Sequence, residues 1–150
     1  MGGLVALLLG IRRPEGLTGQ VFLGACACEL PFYRNFRRPQ IDRIAMRTSP
    51  SVGSALLSRD PRVADAYDRD PWVLHAFTNK LLHEVFVRGV DNLTKNLHRH
   101  TLSCLVLHGA DDRLVPVESS RILHDRSSSS DKTLEILDRK STRLNSSHGS

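Results

Sequence analysis

The chain has 150 residues, 40% hydrophobic and 25% charged, which is the balance of an ordinary globular domain long enough to bury one core. Its longest apolar run, Leu4–Leu9, falls far short of the roughly eighteen residues that cross a bilayer as a helix. The formal net charge is +5, but the two signs are mixed along the chain, so a solvated surface explains them better than a phosphate-binding stripe, and no nucleic-acid partner is expected.

Met1–Arg13 reads MGGLVALLLGIRR. A segment apolar on almost every side predicts a buried helix; Arg12 and Arg13 suit its C-terminus, and Pro14-Glu15-Gly16 stops it. Gln20–Ala25 (QVFLGA) is a short apolar run that reads as a buried parallel strand. Cys26 and Cys28 follow on one face of an extended segment. With Cys104 they make an odd number of thiols, expected to be buried and reduced. Glu29–Asp60 is rich in Arg and Pro and reads as an insertion. Arg62–Asp68 and Trp72–Val90 are expected to be helical, the latter with Val73, Phe77, Leu81 and Val85 at four-residue spacing. Asp60-Pro61 and Asp70-Pro71 supply their starts. Trp72 is expected to be a packing anchor. Asp91–His98 continues as a helix, and His98 and His100 are expected in an exposed polar turn.

Thr101–His108 (TLSCLVLH) is the clearest strand, ending beside the acidic turn Gly109-Ala110-Asp111-Asp112-Arg113. Val117–Asp125 is expected to be a helix, Ser127–Ser130 a solvated loop, and Lys132–Leu137 (KTLEIL) a last strand. Helices alternating with buried strands predict an α/β fold.

Asp138–His148 reads DRKSTRLNSSH, and one back-translation of it looks like a sequencing-library adapter. The stretch 138–150 is therefore expected to be non-native and is set apart from the fold. Without Asp138, Arg139, Lys140 and Arg143, 18 basic and 15 acidic residues remain.

Two features bear on chemistry. Met1-Gly2-Gly3, opening directly into a buried helix, fits the last positions of a G-x-S-x-G strand-to-helix turn, where glycines flank a nucleophilic serine because side chains have no room. An initiator methionine followed by glycine fits the same residues. The second feature is Leu105–Pro116, LVLHGADDRLVP, an apolar strand that delivers a carboxylate to the loop at its C-terminal end, where open α/β sheets place their sites. There a carboxylate can orient an imidazole. The same Asp111 or Asp112 can also simply shape a turn or cap a helix.

Together these residues resemble monoacylglycerol lipases and related serine-aminopeptidase-type hydrolases. Met1-Gly2-Gly3 resembles the end of that family's H-S-M-G-G elbow. Leu57-Ser58-Arg59-Asp60, Ala66-Tyr67 and Asp70-Pro71 resemble a run in its cap. His108–Val115 resembles its acid loop, and Ser130–Ile136 the run into its last strand.

The resemblance implies a partial α/β-hydrolase fold over 1–137, the later strands of a mostly parallel sheet with a helical cap insertion at about 29–83. It implies Asp112 as the catalytic triad acid and the Met1 backbone N–H as half of the oxyanion hole. The serine would precede Met1 and the histidine would follow Leu137, so the chain as written is expected to be inactive and to lack half of its sheet. A lipid ester such as a monoacylglycerol is the implied substrate, with peripheral membrane contact through the cap, and no metal or organic cofactor is implied. Other chemistries on the fold (lysophospholipase, aminopeptidase, thioesterase) and a non-enzymatic small basic binding protein are the alternatives.

Overall fold

A computed structural model describes residues 1–44, 46–48, 53–58 and 60–138. Helix α1 (Gly2–Arg12) is followed by strand β1 (Gln20–Leu23), then by a run of 3-10 turns at Pro31–Arg37, Ile41–Arg43 and Ser54–Leu56. Strand β2 (Arg47–Thr48) pairs antiparallel with β3 (Phe77–Thr78), and helix α2 (Pro61–Arg69) lies between them in sequence. Helices α3 (Asn79–His83) and α4 (Val90–Asn96) are joined by a π-helical turn, Glu84–Gly89. Strand β4 (Cys104–Gly109), helix α5 (Glu118–Arg126) and strand β5 (Lys132–Leu137) complete the order. Of the adapter-like stretch, residues 139–150 lie outside the described residues, as does Arg59 of the cap run.

The three long strands form one parallel sheet in the order β1-β4-β5. Register sets the packing. Phe22, Val106 and Leu134 stand in one row across the sheet and face a layer made by Leu4, Leu7 and Ile11 of α1, Val90 and Leu93 of α4 with Leu97 just beyond it, and Leu123 of α5. Each fully buried Leu there contributes roughly 1.5–3 kcal/mol through removal from water.

Two glycines let α1 sit close. A β-carbon on Gly3 would lie 2.9 Å from that of Ala25, and one on Gly10 would overlap the Gln20 side chain. The alternate rows, Val21-Leu105-Thr133 and Leu23-Leu107-Glu135, point to the other face. There Val21 is 62% and Leu23 74% exposed, so among the described residues this face carries no covering layer over β1.

The structure departs from four expectations, the first being that Gln20–Ala25 is a buried strand, since one face of β1 is open. Trp72–Thr78 is not helical, because Phe77 and Thr78 pair with β2 and the Thr78 hydroxyl accepts the Leu81 N–H to start α3 there instead. Trp72 is no packing anchor, since it is 91% exposed. His100, Ser127 and Ser129 are buried rather than solvated. The Gln20 amide donates to the Ala6 carbonyl, which turns its oxygen toward His100 Nε2 at 2.9 Å, while His100 Nδ1 lies 2.9 Å from Ser127 Oγ.

Candidate active site

Strand β4 carries its apolar residues into the sheet and stops at Gly109, leaving the next turn at the C-terminal edge. Within that turn the Asp112 N–H donates to the Gly109 carbonyl at 3.1 Å. Asp112 Oδ1 then accepts two backbone N–H groups, from Leu114 at 2.8 Å and from Val115 at 2.9 Å. Two such bonds hold the carboxylate against rotation and leave Oδ2 with its acceptor capacity free of these amides. Oδ2 lies toward Gly24, where a β-carbon would come within 3.4 Å of it.

His108, the residue facing inward just before the strand ends, is fully buried. Its Nε2 lies 2.9 Å from the Val115 carbonyl and 3.6 Å from Asp112 Oδ2, and its Nδ1 lies 2.6 Å from Ser120 Oγ. A carbonyl can only accept, so Nε2 carries a proton. Both ring nitrogens are thereby engaged inside the protein. His108 is therefore not placed to act as a base on a substrate, although it stands beside an acid.

The N-terminus of α1 comes to the same edge. Gly3 abuts Ala25 and the next residue back, Gly24, abuts Asp112, so the turn after β1 lies between the start of α1 and the acid. Met1 caps α1, its carbonyl accepting the N–H groups of Leu4 and Val5. Gly2 meets no atom within 4 Å of an added β-carbon, so the described residues give no steric reason for it. The turn is fastened from below by Ser119, whose Oγ accepts the Ala27 N–H at 2.6 Å and donates to the Ala25 carbonyl at 2.7 Å. Burial pushes the Cys26 thiol in this turn up to about 11, so it stays protonated at neutral pH.

A cleft of about 800 Å³ lies between cap residues Ala55–Ser58 and the acid loop from Gly109 to Leu114, with Leu137 and Asp138 at its side. Asp112 thus stands where a cap, a strand end and a helix start converge. The expected site pair, Asp112 and Met1, is carried to one edge of the sheet. Sequence reading missed Gly24, Ser119 and Ser120. The glycine directly after an apolar strand is a signal that could have marked a close approach; two serines in the first turn of α5 carry no such mark.

The family model described as "Serine aminopeptidase, S33" matches residues 1–141. The monoglyceride lipase of Rattus norvegicus is 26% identical over 141 residues, covering 91% of this chain and 46% of the relative. The monoacylglycerol lipase of Mycolicibacterium smegmatis is 36% identical over 80 residues, covering 53% of this chain and 29% of the relative. Among solved structures, the monoacylglycerol lipase of Paleococcus ferrophilus superposes with a TM-score of 0.76 at 25% identity, over 91% of this chain and 55% of that one. A soluble variant of the monoglyceride lipase of Saccharomyces cerevisiae, in complex with a substrate analog, gives 0.73 at 17% identity, over 91% of this chain and 50% of that one. The chain spans about half the length of the relatives it matches over most of its own residues.

Proposed function

The chain belongs to the serine aminopeptidase family of α/β-hydrolases, and on that footing we propose that it is the later part of a carboxylic ester hydrolase acting on monoacylglycerols or closely related lipid esters. The observation that carries this reading is the Asp112 carboxylate, fixed through Oδ1 by the Leu114 and Val115 amides with Oδ2 turned to the strand edge. A carboxylate held in that way can accept an imidazole N–H, set its tautomer and stabilise the imidazolium that forms when a serine attacks an ester. Met1, at the start of α1, would offer its backbone N–H to the developing oxyanion.

The serine and the histidine of such a triad fall before Met1 and after Leu137. No serine of the 150 residues stands in a G-x-S-x-G pattern. The chain by itself is then without esterase activity. Lipid substrates are supported by the relatives that are named monoglyceride lipases. Peripheral contact with a lipid surface is part of the same proposal. It is supported by the exposure of Trp72 and of Leu74, which is 68% exposed, a few residues along the chain from Arg69 at the end of α2.

The test is the gene itself, followed by an assay. Reading the frame upstream of Met1 should give serine immediately before it, preceded by Gly-x. An in-frame stop there would contradict the reading. Purified 150-residue chain should hydrolyse a short-chain ester no faster than buffer. Turnover abolished by Asp112→Asn would overturn the statement that this chain lacks its nucleophile and base.

A further inference from the structure

We propose that His108 is a positioning residue for the acid, acting through Val115, with Ser120 as the group that fixes its tautomer. The inference rests on the reading of Asp112 as the triad acid, and goes beyond it by naming what holds that acid in place.

The argument is one of donors and acceptors. Val115 takes part in two bonds at once: its N–H donates to Asp112 Oδ1 at 2.9 Å, and its carbonyl lies 2.9 Å from His108 Nε2. The carbonyl bond anchors the peptide unit on one side of the Val115 Cα and the amide bond lies in the unit on the other, so holding the carbonyl restrains the backbone from which the amide is aimed at the carboxylate. For a neutral ring this requires the proton on Nε2, and Nδ1 must then accept. Ser120 Oγ, 2.6 Å from Nδ1 and itself fully buried, is the donor.

The chain Ser120 O–H to His108 Nδ1, His108 Nε2–H to Val115 carbonyl, Val115 N–H to Asp112 Oδ1 runs in a single donor direction from α5 to the acid. The first two bonds share the imidazole ring and polarise one another, while the third belongs to the neighbouring peptide unit and joins them through the Val115 backbone. The other tautomer would set the Nε2 lone pair against a carbonyl oxygen. The Nε2–H also stands 3.6 Å from Asp112 Oδ2, beyond hydrogen-bond distance, so this oxygen is kept for an incoming imidazole N–H rather than consumed.

A ring that merely fills space would be replaced equally well by any side chain of its size. His108→Gln keeps a donor for the Val115 carbonyl and an acceptor for Ser120, whereas His108→Met keeps the bulk and neither. In the 150-residue chain, hydrogen exchange at the Leu114 and Val115 amides should speed up about tenfold in His108→Met, as expected for one lost hydrogen bond, and stay at the original rate in His108→Gln. Equal rates in the two variants, whether fast or slow, would overturn the proposal.

Solid-state NMR of the unaltered chain labelled with nitrogen-15 histidine decides independently of any variant and needs no soluble monomer. A buried ring protonated at Nε2 and bare at Nδ1 is expected, and the reverse tautomer would refute the directed run. Neither readout depends on esterase activity, so a failure in either leaves the hydrolase reading standing. A failure of that reading, seen in the upstream frame, leaves the tautomer result intact.

Discussion

Gly24 faces the Asp112 carboxylate across the ends of two neighbouring parallel strands, with only 3.4 Å between a β-carbon built on the glycine and Oδ2. Its φ is +55°, a left-handed backbone that costs an L-residue roughly 1–2 kcal/mol. Gly24→Ala should therefore lower stability by about that amount, read as a shift in urea midpoint. It should also slow any active form assembled around this chain, because relief of that backbone strain shifts the turn against the oxygen that an imidazole must reach, the methyl group itself meeting Oδ2 only at van der Waals distance. An alanine variant equal in both respects would show that backbone strain does not require glycine at this position.

The cap is fastened to the body by Arg37. Its Nη1 and Nη2 donate to the two carboxylate oxygens of Asp91 at 2.9 and 2.7 Å, and its Nε donates to Glu29 at 2.6 Å. The guanidinium holds the Asp91 carboxyl below the usual carboxylate range. Because these groups are largely exposed, global stability should change by less than ~1 kcal/mol in Arg37→Lys. Lysine cannot reproduce the fork, however. Hydrogen exchange in Pro31–Arg43 should accelerate while that of Leu4–Ile11 stays put. Exchange unchanged in both segments would show that the cap is held by its apolar contacts alone.

His100 links three parts of the chain, and its burial holds it below its ordinary value of 6.5. The folded state therefore binds this proton less readily than the unfolded one. Its contribution is fully present above pH 6.5 and is lost as pH falls below that value, at no more than ~1.4 kcal/mol per pH unit. The urea midpoint should drop between pH 7.5 and pH 5.5, and His100→Gln should flatten part of that drop. A midpoint that rises on acidification, or a slope untouched by the substitution, would assign the effect elsewhere.

The sheet face bearing Val21 and Leu23 is apolar and open, and β1 has no partner on its far side among the described residues. Parallel sheets are stable when covered on both faces. The isolated chain should self-associate and bind an apolar dye, and Val21→Thr with Leu23→Thr should reduce both. A soluble monomer with a cooperative transition and no dye binding would argue against an unfinished sheet.

Much of the layout can be read from the sequence because it rests on local pattern. Gln20–Leu23 lies within the expected strand Gln20–Ala25, Cys104–Gly109 overlaps the expected Thr101–His108 but starts three residues later, Lys132–Leu137 coincides with its expectation, and α1 and α5 begin and end within a residue of the expected helices. The placement of Asp112 at a strand end follows from the apolar run before it. What escapes is set by distant partners. Phe77 and Thr78 have helical spacing but are captured by β2, some thirty residues earlier. His100 looks like an exposed polar turn until Gln20, 80 positions away, turns its amide oxygen inward. Ser120 carries no signal in the linear sequence, since its role exists only where α5 crosses the end of β4.

The central claim is that residue 112 is the acid of a serine hydrolase triad. The direct measurement joins residues 1–137 to the flanking N- and C-terminal segments of the Paleococcus ferrophilus lipase and follows monoacylglycerol hydrolysis. The joined protein should react with a fluorophosphonate probe, and Asp112→Asn should lower kcat by about 10⁴-fold while leaving the fold intact. A joined enzyme that turns over equally well with asparagine at this position would contradict the account.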